Sequence, residues 1–296
     1  NLTQPRLIFI DKENGPASLQ VPCNNIDRLF PIVKDLDGNS LENYGSYIRG
    51  DDVFEIVYTS GTTSEPKGVV IKQKNIVSNL RALRHRFRCN PSWKFLSMLP
   101  LSHLLEQTAG LFAPLRFGCE VVYNKHKKFS DIGKIIRSHN VTTIVAVPTI
   151  LSLFKSKIEE AAAKGGNSQK LDSFLRFLQP MPFPLRKIAA WPIRKSLGKR
   201  FDSFICGGAA LSRTVEDFWE NLGIRVLQGY GLTEAAPIVA FNSYDVRVRG
   251  SVGKCLREQA LKITGDGEIL IAGENVISKY YNRPDQFELI KSYNPH

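Results

Sequence analysis

The sequence predicts an α/β protein, with a largely parallel sheet, flanking helices and part of a small β subdomain. Two observations carry this. Between Asp52 and Gln228, short β-branched runs alternate with stretches whose apolar residues recur at helical spacing. After Gly250 the pattern changes to short strands broken by glycine turns, as in LKITGDGEILIAG. No internal repeat is visible, which argues against solenoids and propellers.

The elements follow in order. RLIFID, near the start, reads as a strand and GNSLENYGS as turns. Residues 53–58 and 68–72 are strands on either side of a loop of hydroxyls and glycine. Asn75 is placed to cap a helix whose apolar face is Ile76, Leu80, Leu83 and Phe87. A strand over 95–99, a helix near 104–117 and a strand over 120–123 come next. Ser130 is placed to cap a helix bearing Ile132, Ile135 and Ile136. Residues 141–147 form a β-branched strand stopped by Pro148, with a helix after it through Ile158.

Residues 164–200 break the rhythm. KGGNSQK reads as a loop and QPMPFPLRKIAAWP is rich in proline, so this segment is expected to run over the surface. Alternation returns with a strand over 203–206, a helix over 213–222 ending at Gly223 and a strand over 224–228.

Charge narrows the partners. The 296 residues carry 40 Lys and Arg against 28 Asp and Glu, a net +12. Residues 176–200 hold seven basic residues and no acid. Such a balance suits nucleotides, nucleic acid or an anionic membrane surface. No nucleic-acid-binding signature is present, so nucleic acid is not expected. Phe177, Phe183 and Trp191 interleave with the basic run, which fits peripheral membrane contact through 176–200 and a plain solvated face equally. Five cysteines without a CxxC pair argue against a zinc site and a disulfide framework. The uncharged run over 138–154 contains His139, Asn140 and Pro148, so no transmembrane helix is expected, and the N-terminus reads as no targeting signal. A cytoplasmic setting, with membrane association left open, is the expectation.

The strongest chemical signal runs from Tyr58 to Gly68, YTSGTTSEPKG. Thr59, Ser60, Thr62 and Thr63 surround Gly61 just after a strand, and Lys67 follows. Hydroxyl and backbone N–H donors in such a loop suit phosphate oxygens, with Lys67 adding charge. It is not a Walker A loop, because Pro66 stands where the second glycine should be and Lys67 precedes a strand. Gly207 and Gly208 follow a strand and let a flat base approach the backbone, although a plain strand-to-helix turn with Ser212 as cap explains them as well. In GYGLTE, Gly229 and Gly231 flank the ring of Tyr230, Thr233 offers a hydroxyl, and Glu234 offers a hard oxygen for Mg²⁺. His103 lacks a second His partner for a metal.

YTSGTTSEPKGVV resembles the phosphate-binding signature of the adenylate-forming superfamily, most closely its long-chain acyl-CoA synthetases. GGAALS (207–212) resembles that family's adenine-contacting turn. QGYGLTE (228–234) resembles its segment for adenine, α-phosphate and magnesium. LPLSH (99–103), GSVG (250–253) and GEILI through Tyr280 and Tyr281 are similar in the same order. The resemblance implies the fold of the family's N-terminal domain core, with residues 1–249 as its α/β part and 250–296 as a partial β subdomain. It implies ATP-dependent activation of a fatty acid or other carboxylate, then transfer to CoA. Thr59, Ser60, Gly61, Thr62, Thr63, Lys67, Gly207, Gly208, Ala209, Gly229, Tyr230, Gly231, Thr233 and Glu234 would bind ATP. Thr59 and Glu234 would act in catalysis and hold Mg²⁺, and His103 would position the substrate.

Departures from the family pattern are as specific. Ser64 stands where the family usually has glycine. The later TGD segment that holds ribose, the hinge and the lysine-bearing C-terminal domain are not found. Thr264-Gly265-Asp266 precedes the GEILI strand instead of following Tyr280 and Tyr281, and Gly265-Asp266-Gly267 reads as a hairpin turn. The chain is therefore expected to be a central fragment, truncated at its N-terminus, that binds nucleotide only. The alternatives are a non-catalytic nucleotide-binding module, or an adenylating enzyme for an aryl acid or an acyl-carrier-protein acceptor.

Overall fold

The computed structural model describes residues 8–10, 23–25, 48–59, 66–87, 89–123 and 129–283. Two compact units divide the chain, Asn1–Arg49 and Gly50–His296. In the first, β1 (Ile8–Ile10) pairs in parallel with β2 (Cys23–Asn25).

The second unit is organised by a seven-stranded sheet. Five strands run parallel: β5 (Lys94–Ser97), β6 (Glu120–Tyr123), β7 (Thr143–Ala146), β8 (Ser203–Cys206) and β9 (Arg225–Gly231). On one side β10 (Ile238–Phe241) pairs antiparallel with β9 and β11 (Lys254–Cys255) antiparallel with β10, giving the order β11-β10-β9-β8-β7-β5-β6. A separate hairpin pairs β3 (Val53–Thr59) with β4 (Lys67–Lys72), and another pairs β12 (Gln259–Ile263) with β13 (Ile269–Gly273). The Thr264 N–H donates to the Glu268 carbonyl and the Gly267 N–H to the Thr264 carbonyl across the second turn, so Gly265-Asp266-Gly267 is the hairpin turn expected.

Period-two alternation explains why the central strands read as unbroken apolar runs. Leu96, Ile144, Phe204 and Val226 face one layer, with Leu151, Leu178, Phe218 and Trp219. Their neighbours Phe95, Val145, Ile205 and Leu227 face the other, with Ala82, Leu83 and Phe87. Both faces are buried, as a parallel sheet between helices requires. The helices are α1 (Gln73–Arg84), α2 (Ala113–Arg116) after a π-helix Glu106–Phe112, α3 (Phe129–Ser138), α4 (Pro148–Lys164), α5 (Ser168–Leu178), α6 (Phe183–Ala189), α7 (Trp191–Leu197) and α8 (Arg213–Asn221).

Three local expectations change. Asn75 is the third residue of α1, not its cap; its side chain accepts from the Lys72 N–H at 2.8 Å, closing a capping box. Ser130 lies inside α3, which already begins at Phe129. The proline-rich stretch is helical. Pro184 and Pro192 sit in the first turns of α6 and α7, where a missing N–H costs no hydrogen bond.

Nor is the basic run a uniform surface face. Arg194 is 2% exposed, and its guanidinium donates to the Leu222, Gly223 and Phe201 carbonyls, capping the end of α8. Cys89, Cys119, Cys206 and Cys255 are free thiols, and among the described residues no helix is long and apolar enough to cross a membrane.

Candidate nucleotide site

Parallel strands end together, and the loops beyond their carboxyl ends enclose a cavity of about 530 Å³. This is where open α/β sheets hold ligands. Gly207 and Gly208 after β8, Gly229–Gly231 of β9, Thr233, and His103 beyond β5 all line it. Tyr230 is half-buried there, and His103 is exposed at the start of the helical stretch, where its carbonyl accepts from the Glu106 and Gln107 N–H groups. The remaining lining is largely apolar, including Leu99, Leu105, Val147, Ile205 and Phe241. Among the described lining residues none is Lys, Arg, Asp or Glu. Ala209 is exposed and does not line the cavity.

The glycines have different causes. A Cβ on Gly207 would meet Leu105 at 3.4 Å and one on Gly208 would meet Val147 at 3.5 Å, ordinary contacts that leave space over that backbone. A Cβ on Gly231 would fall 2.0 Å from the Pro237 carbonyl oxygen. Gly231 is thus required by the close return of β10, whether or not a ligand approaches it.

A second group of residues gathers beside Thr233. Glu234 lies in a 3₁₀ turn, Thr233–Ala235, and its Oε1 accepts a 3.0 Å hydrogen bond from the Tyr280 hydroxyl. Burial, and then the Glu234 charge, raise the Tyr280 pKa above its ordinary value, so the phenol stays protonated as donor. Lys67 Nζ lies 5.8 Å from the centre of the Tyr280 ring, a cation–π contact. Thr59 pairs with Lys67 in the β3–β4 ladder, so both stems of the hydroxyl-rich loop reach this group. Ser60, Gly61, Thr62 and Thr63 lie outside the described residues.

Backbone and amide bonds hold this arrangement. The Tyr281 N–H donates to the Gly68 carbonyl at 2.7 Å, and the Ile277 N–H to the Glu234 carbonyl at 2.9 Å. Asn79 donates to the Ile238 carbonyl at 2.7 Å, Asn275 to the Ala235 carbonyl at 2.8 Å, and Asn75 to the Glu274 carbonyl at 2.7 Å. These buried amides tie the Glu234 turn, the start of β10 and the segment after β13 together. Sequence reasoning missed Asn79, Asn275, the bond from Asn75 to the Glu274 carbonyl, and the role of Tyr280. For Asn75 and Asn79 the available signal was a polar pair four residues apart on a helix otherwise packed by Ile76 and Leu83.

Glu106 was also missed. It is fully buried in the π-helix, and a Cβ on Gly110 would come 2.5 Å from its Oε1. Burial pushes its carboxyl up to about 7.

The donor set fits magnesium. Glu234 Oε2 makes no hydrogen bond among the described residues, leaving one hard carboxylate oxygen in the same turn as the Thr233 hydroxyl. Mg²⁺ is ordinarily held by one or two carboxylates, waters and substrate phosphates. Among the described residues no group of three or more His, Cys, Asp or Glu exists to form an all-protein cage.

Residues 6–281 match the family described as AMP-binding enzyme. The chain is 25% identical to the long-chain-fatty-acid–CoA ligase FadD15 of Mycobacterium tuberculosis over 276 residues, covering 87% of this chain and 46% of that protein. It is 27% identical to malonate–CoA ligase of Arabidopsis thaliana over 265 residues, covering 83% and 39%. Among solved structures, O-succinylbenzoate coenzyme A synthetase (MenE) from Bacillus subtilis, in complex with ATP and magnesium, superposes with a TM-score of 0.61 at 26% identity, over 84% of this chain and 46% of that one. The N-terminal domain of FACL13 from Mycobacterium tuberculosis superposes with a TM-score of 0.67 at 22% identity, over 94% and 63%, a likeness of fold. The chain spans less than half the length of these two ligases. With the fold of adenylate-forming N-terminal domains and a match over nearly its whole length, the chain belongs to the AMP-binding enzyme family.

Proposed function

We propose that the chain holds the nucleotide in an ATP-dependent acid–thiol ligase. The substrate carboxylate attacks the ATP α-phosphorus, pyrophosphate leaves and an acyl-adenylate forms; the CoA thiol then displaces AMP. The observation that carries this reading is the Lys67–Tyr280–Glu234 group beside an apolar cavity at the strand ends. Thr59, the Ser60–Thr63 loop and Lys67 hold the phosphates. Gly207, Gly208 and Tyr230 take the flat base, with Gly229, Gly231 and Thr233 beside it and Ala209 just outside the cavity. His103 positions the acid. Glu234 and Thr59 hold magnesium, which when bound spreads the phosphate charge and steadies the leaving pyrophosphate. Tyr280 keeps the Glu234 carboxylate oriented.

The acid is a fatty acid in this reading. Among the described lining residues none is Lys, Arg, Asp or Glu, which suits an apolar chain better than a second carboxylate of the malonate kind. Relatives include ligases for CoA and for acyl carrier protein, and CoA is the acceptor proposed here. Residues 1–249 serve as the α/β part and 250–296 as part of a β subdomain. The exposed Phe177, Leu185, Ile188 and Trp191 support peripheral membrane contact through 176–200. Assayed alone, these 296 residues should bind nucleotide without completing ligation, because the motifs for ribose and carboxylate activation are not among them.

Calorimetry with Mg·ATP tests the nucleotide reading. Weak saturable binding is expected, reduced at least tenfold in both Lys67→Ala and Glu234→Ala; unchanged affinity in both would overturn it. Decanoate should bind and malonate should not, and the reverse preference would overturn the choice of acid.

A further inference from the structure

A second cavity, of about 230 Å³, lies at the opposite, amino-terminal edge of the parallel sheet. Part of its wall comes from the residues just ahead of three strands: Trp93 before β5, Thr142 before β7 and Asp202 before β8. Helices α6 and α7, the turn after them, and Tyr244 beyond β10 supply the rest. Four lining residues are cationic, Lys187, Arg194, Lys199 and Arg200, against the single carboxylate of Asp202.

That carboxylate is already matched. Asp202 receives Arg225 at 2.6 Å, and Lys187 and the Tyr244 hydroxyl each at 2.5 Å. Arg194 is committed to the α8 carbonyls, yet its buried Nε makes no hydrogen bond. Lys199 has no hydrogen bond or ion pair among the described residues, and Arg200 has only two 3.4 Å contacts to Ser92. The indole N–H groups of Trp93 and Trp191 are likewise without acceptors among the described residues. The residues lining the cavity therefore carry surplus positive charge and uncommitted donors, with Trp93, Trp191 and Tyr244 as its aromatic members.

We propose that this cavity is a binding site for a phosphate monoester. A monoester brings two negative charges and three acceptor oxygens, which match a lysine, a guanidinium fork and indole donors. The aromatic walls leave room for a short organic portion beside the phosphate. The phosphate could be carried by a soluble metabolite or by a lipid headgroup; Leu185 and Ile188, 53% and 71% exposed, flank Lys187 at the surface. The site does not depend on the nucleotide reading, since it lies at the other end of the strands.

Tryptophan emission reads the site directly. Of the three tryptophans, Trp93 and Trp191 line the cavity, while Trp219 is fully buried in the core. The full chain would be titrated with inorganic phosphate, and separately with vesicles of phosphatidic acid or of phosphatidylcholine alone. A saturable change is expected with at least one phosphate source, in the parent chain and in Lys67→Ala. It should weaken at least tenfold in Lys199→Gln/Arg200→Gln, two exposed positions whose change leaves the far-UV spectrum intact. Saturation by inorganic phosphate supports a soluble ligand, and a response to phosphatidic acid alone supports a lipid headgroup. Silence toward both sources would overturn the proposal. So would a response lost in Lys67→Ala and kept in the double variant.

Discussion

The Tyr280 hydroxyl donates to Glu234 Oε1 across 3.0 Å, joining residues 46 positions apart. A hydrogen bond to a charged acceptor is worth about 1.5–3 kcal/mol. Tyr280→Phe should therefore cost a fraction of that in stability, about 1 kcal/mol. It should also weaken Mg·ATP binding several-fold while leaving metal-free ATP binding nearly unchanged. Calorimetry with and without magnesium checks this, and an equal loss in both conditions would remove Tyr280 from the metal side of the site.

Glu106 predicts an unusual pH dependence. Its carboxyl titrates near 4.5 when unfolded and is pushed by burial to about 7 in the fold. Between these values the folded state holds the extra proton, so its contribution is complete at low pH and is lost as pH rises through 7. Glu106→Gln should abolish that slope and be more stable than the parent at pH 8, by about 1–3 kcal/mol. Urea unfolding of both proteins from pH 4 to pH 8 measures the difference. A difference independent of pH would be incompatible with a buried neutral acid.

Asp202 should behave in the opposite sense. Burial raises its pKa, but Arg225, Lys187 and Tyr244 outweigh that and hold it below the ordinary value. Its stabilising effect is present above about pH 4, the unfolded value, and fades as pH falls through the depressed folded value. Asp202→Asn leaves Arg194 and Arg225 without their anion, at a cost of about 3–5 kcal/mol near neutrality. In denaturant melts the gap between parent and variant should close in acid.

Two glycine substitutions should separate packing from binding. Gly231→Ala drives a Cβ into the Pro237 carbonyl and should destabilise the fold by about 2–3 kcal/mol. Gly207→Ala meets Leu105 and the Gly229 carbonyl oxygen at ordinary contact, so its stability should change by less than about 1 kcal/mol while ATP affinity falls. Equal melting temperatures for the two variants would contradict this.

The central sheet was legible because alternation within β7 and β8 buries both faces, so apolar and β-branched residues alone mark the strands. The stretch around Pro182–Pro192 was not, because proline ends a helix when inside it and begins one when in its first turn. Only packing of Leu178 and Ala190 against the core decides which. Glu106 illustrates a different limit: a glutamate near a helix start reads as solvated, and its burial comes from neighbours distant in sequence. In the site, the residues of each motif could be named from their chemistry and their resemblance. That Tyr280 would meet Glu234, or that Lys67 would rest on its ring, has no local signal.

The bonds from Asn75, Gly68 and Glu234 to residues 274–281 act as a clasp, and they set a limit on how far the molecule can be trimmed. A chain cut after Gly273 would retain Lys67, Glu234 and every wall of the large cavity. It would leave the Gly68 and Glu234 carbonyls facing water and remove the ring on which Lys67 rests. The smallest recombinant piece that keeps both motifs in register therefore runs through Tyr281, eight residues beyond the end of β13.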